Sequence, residues 1–125
     1  VVTTAPDAYM QQLVAIVDTS IRAGVLPVLS TIPPQPKYDD RVRNFNRIII
    51  QVAAAYGVPL WNYWLALRDL PNAGLAYDGV HPSLPPNMDD AGIFTPDNLQ
   101  YGATWRNLTA LQLLNRLRIE VIGAV

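Results

Sequence analysis

Two short runs, Val25-Leu-Pro-Val-Leu-Ser-Thr31 and Val58-Pro-Leu-Trp-Asn62, constrain the fold more than anything else in this sequence. Both are apolar on each alternating set of positions. A strand with one wet face alternates apolar and polar residues, so a run without a polar face reads as a strand buried on both sides. That is the place of a strand in a parallel sheet covered by helices. Ile32-Pro33-Pro34 closes the first run, and Pro27, having no N–H, weakens pairing in its first half.

Helical patterns surround the two runs. Residues 6 to 23 put Tyr9, Leu13, Ile16, Val17 and Ile21 on one face, with Pro6 suited to the first helical position, Asp7 complementing the dipole and Gly24 as the stop. Asp39-Asp40 caps a second helix in which Val42, Phe45, Ile48, Ile49, Val52 and Tyr56 recur at helical spacing up to Gly57. Tyr63 to Asp69 fits a brief helical turn. A last helix, about 101 to 120, would bury Ala110, Leu113, Leu114, Leu117 and Val121. Between them, residues 71–100 hold five of the eleven prolines and three glycines. A loop longer than about 12–15 residues is commonly a functional one.

The order helix, strand, helix, strand, loop, helix predicts an α/β fold: a three-layer α/β/α arrangement around a parallel sheet. Two strands alone would leave two open edges. Either further strands come from sequence outside this chain, the favoured expectation, or the strands pair across subunits; the abrupt start at Val1 fits a fragment or processed product.

Composition narrows the function. Nine basic and ten acidic residues give a formal charge of −1, and Lys37 is the single lysine. No basic run exists to track a phosphate backbone, so nucleic acid is not an expected partner. Zero cysteines remove disulfides, thiolate metal sites and a cysteine nucleophile, and one histidine, His81, removes a multi-histidine metal centre. No apolar run approaches the roughly 20 residues of a membrane span, and no signal peptide is visible. Asp89, Asp90 and Asp97 lack the spacing of a calcium loop.

The segment with chemical promise is Tyr77-Asp78-Gly79-Val80-His81-Pro82-Ser83. Asp and His three residues apart around a glycine can fold back on each other. The carboxylate then fixes the imidazole tautomer and stabilises the imidazolium formed when the other nitrogen takes a proton. The predicted separation of an Asp78 oxygen and His81 Nδ1 is about 2.6–3.2 Å. An Asp-Gly turn followed by an ordinary surface histidine is the alternative.

The Asp78-Gly-Val-His-Pro82 segment resembles the last motif of the SGNH (GDSL-like) hydrolases, in which the Asp and His of a catalytic triad share one loop before the final helix. Gly24 to Pro34 is similar to that family's fourth strand and exit loop. Asn44-Phe-Asn46 with its helix, then Tyr56-Gly-Val-Pro-Leu-Trp61, is similar to the following helix and fifth strand. The likeness spans nearly the whole chain. It implies a flavodoxin-like three-layer domain of which residues 1–125 are the C-terminal portion, with His81 as general base, Asp78 as its orienting partner and no cofactor. It also implies an ester substrate, such as an acylated carbohydrate or lipid, and a secreted or extracytoplasmic setting.

The family's Gly-Asp-Ser-like nucleophile motif and Gly-Thr-Asn-Asp-like oxyanion motif do not occur. Ser20, Ser30 and Ser83 are the only serines. The resemblance accordingly puts the nucleophile in an N-terminal half that would partner this chain. A binding or structural module that keeps the scaffold without catalysis is the rival. A nucleotide or flavin binder has no Gly-rich phosphate loop to support it. Leu84 to Gly102 reads as an insertion, either a substrate loop or a solvated wrap. Trp61, Tyr63 and Trp64 read as core or as a stacking surface for a sugar ring, and Arg41, Arg43 and Arg47 as a solvated face.

Overall fold

The structure is a computed structural model that describes residues 3–123. The chain divides into two compact units, whose described residues are 3–62 and 63–123.

In the first unit, α1 spans Pro6–Arg22. Proline costs nothing at its first turn, where an N–H would have no helical acceptor. Asp7 and Arg22 lie at the ends where their charges oppose the dipole, and Arg22 pairs with Asp18 at 2.9 Å. α2 spans Asp39–Tyr56, with two aspartates in its first turn and Gly57 as its C-terminal cap. This helix supplies most of the unit's buried residues: Val42, Phe45, Asn46, Ile49, Val52 and Ala53. α1 lies against it through Val17, and the Tyr9 and Phe45 rings meet edge to face with centroids 4.5 Å apart. Burying each large aliphatic side chain contributes roughly 1.5–3 kcal/mol, so this seam holds the unit together.

β1, Leu29–Ser30, and β2, Leu60–Trp61, lie side by side in parallel, Leu29 opposite Leu60 and Ser30 opposite Trp61. Leu29 N–H donates to the Pro59 carbonyl at 2.9 Å and Thr31 N–H to the Trp61 carbonyl at 3.0 Å. Past Thr31 a side chain takes over. The buried Asn46 amide accepts from Ile32 N–H at 2.7 Å and donates to the Ile32 carbonyl at 3.0 Å, replacing the ladder with a side-chain clamp.

The three-layer α/β/α sheet expected from the two apolar runs, flavodoxin-like on the family resemblance, is not what forms. The described chain is mostly helical, and its sheet has two strands of two residues each. Pro27 and Pro59 carry no N–H for a longer ladder. Val25, Leu26 and Val28, read as double-sided core, lie outside it and are 58%, 46% and 38% exposed.

In the second unit, α3 spans Tyr63–Leu67 and α4 Gly102–Leu117, which runs on into a π-helical turn at Arg118–Ile122. Residues 71–100 contain single 3₁₀ turns at Pro71–Gly74, Met88–Gly92 and Asn98–Gln100. The apolar stripe expected along α4 is only partly covered. Ala110, Leu113 and Leu117 are half-buried, but Leu114 and Val121 are exposed. The fully buried part of α4 is instead its first turn, Gly102, Ala103 and Thr104. Leu67 of α3 and Leu75 are buried in the same unit. Among the described residues no helix is long and apolar enough to cross a membrane.

Candidate functional site

Asp78 and His81 sit on a short loop with a hydrogen-bonded stem. Leu75 and Pro82 form an antiparallel bridge, with Ala76 N–H on the His81 carbonyl and Ser83 N–H on the Gly74 carbonyl, both at 2.8 Å. At the tip Gly79 N–H closes a turn onto the Ala76 carbonyl at 3.0 Å. Gly79 has φ +70°, a conformation that costs a side-chain-bearing residue energy, which explains the glycine between Asp78 and His81.

Within the loop, Asp78 Oδ1 accepts from Val80 N–H at 2.9 Å and His81 N–H at 3.0 Å, while Oδ2 lies 2.7 Å from His81 Nδ1. The hydrogen bond from His81, joined by the two backbone N–H donors, pulls the Asp78 carboxyl down to about 2. Asp78 is thus an anion at neutral pH, so the proton of the short contact belongs on Nδ1. In the neutral imidazole that leaves Nε2 as the nitrogen with a lone pair, the tautomer a general base needs. The imidazole is 78% exposed and the carboxylate 39%. The structure therefore brings together the two residues singled out in the sequence, at a separation inside the expected range.

The stem is anchored to α4. Ser83 Oγ accepts from Gly102 N–H at 2.9 Å and the Ser83 carbonyl accepts from Ala103 N–H at 2.9 Å. Tyr101, the residue before α4, offers no side-chain cap, so Ser83 caps this helix from 19 residues away. Asn72 braces the other strand of the stem, its amide donating to the carbonyls of Leu75 at 2.9 Å and Ala76 at 3.3 Å. Sequence reasoning missed these supports. The Pro-Ser pair after His81 is the local signal for a cap, but its helix starts beyond a long excursion.

That excursion, expected as a substrate loop or a wrap, is tied down by side-chain amides. Asn98 Nδ2 donates to the Ile93 carbonyl at 3.0 Å, and Asn107 Nδ2 of α4 donates to the Ala91 carbonyl at 3.1 Å. Beside the stem an open cleft of about 330 Å³ is lined by Pro71, Asn72, Leu75, Ser83, Gln100 and Tyr101.

Each serine is engaged in local structure. Ser20 Oγ donates to the Ile16 carbonyl within α1, Ser30 Oγ donates to the Thr31 carbonyl beside the sheet, and Ser83 caps α4. Tyr63 is buried, and the Trp64 ring lies beneath the Arg68 guanidinium at 5.4 Å. Arg41, read as solvated, donates to the Thr4 carbonyl and lies over the Phe45 ring, whereas Arg43 pairs with Asp39 in the solvated way expected. Among the described residues no three or more His, Cys, Asp or Glu side chains gather as a metal site would require. No family model, curated protein or solved structure matches the chain.

Proposed function

We propose that Asp78 and His81 are the base pair of a serine ester hydrolase that works through an acyl-enzyme. The observation that carries this reading is the 2.7 Å contact between Asp78 Oδ2 and His81 Nδ1, which leaves Nε2 available as proton acceptor. In the proposed reaction a serine oxygen attacks the ester carbonyl as Nε2 takes its proton. The imidazolium, stabilised by the Asp78 anion, then returns that proton to the leaving alkoxide; water deacylates the serine by the same relay. The likeness of Asp78-Gly-Val-His-Pro82 to the SGNH motif supports the assignment, and the resemblance adds acylated carbohydrate or lipid as the substrate class. Because the three serines here cap or brace backbone, the reading places the nucleophile outside these 125 residues.

A fluorophosphonate, which traps activated serines, tests this. It should label one serine in the natural polypeptide that carries this chain, and His81→Ala should abolish the labelling. Labelling of Ser20, Ser30 or Ser83 would contradict the placement of the nucleophile, and labelling that survives His81→Ala would contradict the role of His81.

A further inference from the structure

We propose that Ser83, with the Gly74–Gly102 contact, is a positioning clamp that holds Asp78 and His81 in register by fastening their loop to the first turn of α4. This deepens the reading of His81 as a base, but the clamp itself is visible without turnover.

Three features carry the inference. Ser83 spends its backbone N–H on Gly74, its carbonyl on Ala103 and its hydroxyl on Gly102, so one residue ties both strands of the stem to the helix. The two glycines make that approach possible. A Cβ on Gly102 would lie 1.9 Å from the Gly74 carbonyl oxygen, and one on Gly74 would lie 2.8 Å from Leu67 Cγ. No side chain fits between these backbones, and Gly74 also has φ +68°. Beyond the stem bridge and the Asn72 brace, finally, the tip of the loop is exposed. Tyr77 is fully exposed, and every Asp78 contact described above is made within residues 78–81. Hydrogen bonds between exposed groups stabilise weakly against the entropy of a mobile loop. A stem fixed to a helix lowers that entropy before the Asp–His contact forms. Ser83 lies two residues from His81, so slack at Ser83 reaches the imidazole directly.

The test is an NMR titration of the Asp78 carboxylate in the natural polypeptide that carries this chain, together with the signal of the hydrogen-bonded His81 Nδ1 proton. In the parent chain the carboxylate midpoint should be about 2. In Ser83→Ala it should rise toward the ordinary 3.8 and the Nδ1 signal should be lost to exchange, while amide spectra of α1 and α2 stay unchanged. Ser83→Thr, which keeps the hydroxyl, should restore both. Gly102→Ala should act like Ser83→Ala. If it disrupts α4 instead, the serine pair still decides. An Asp78 midpoint that stays at about 2 in Ser83→Ala would overturn the clamp and show that the loop orders itself. If the clamp holds but His81→Ala leaves ester turnover untouched, the hydrolase reading fails and the clamp remains.

Discussion

At Asp78 one carboxylate serves both the loop and the histidine. It satisfies two backbone donors with one oxygen and fixes the imidazole with the other. Its folded-state pKa is depressed, so its contribution to stability is fully present above the ordinary value of 3.8 and is lost as pH falls toward about 2. Between those limits Asp78→Asn should flatten the acid limb of a pH–stability curve followed by circular dichroism. Asn46 does analogous work away from the loop, bonding both the N–H and the carbonyl of Ile32 from a buried position. Its replacement by Ala strands those backbone groups and should cost about 1–3 kcal/mol in chemical denaturation. The Asp–His pair was legible in the sequence because all its geometry lies within four residues. Ser83 and Gly102 were not, since a contact across 19 residues leaves no local periodicity.

At the scale of elements, the helices follow their signals closely. Pro6, Asp39-Asp40 and Gly57 mark ends that lie within a residue or two of the expected bounds. The strands do not, and the reason is physical. An apolar run reports that a segment avoids water, whereas a ladder requires N–H groups and a partner in register. Pro27 and Pro59 remove donors, and Asn46 intercepts the chain at Ile32. The stripe on α4 is covered only in part, because a periodic apolar face says nothing about which part of it finds cover. Leu67, fully buried and directly beneath Gly74, should therefore matter more than Leu114, which is 60% exposed. Thermal denaturation should show Leu67→Ala losing about 2–5 kcal/mol, and Leu114→Ala staying within about 0.5 kcal/mol.

Across the molecule, substantial apolar surface meets solvent. In the first unit Ile16, Ile21, Val25, Leu26 and Val28 are exposed, and the ladder uses Leu29 and Thr31 and so turns the backbone groups of Val28 and Ser30 to the opposite edge. Exposed strand edges and apolar patches favour association. Sedimentation of the isolated chain should show concentration-dependent self-association, or a hydrophobic dye should bind it; a dye-silent monomer at all concentrations would contradict this. Ester turnover reads the role proposed for the His81 imidazole most directly. In the natural polypeptide carrying these residues, the account predicts that His81→Ala slows hydrolysis of a neutral aryl ester by at least about 10²-fold with the fold intact; hydrolysis at the unmodified rate would contradict it.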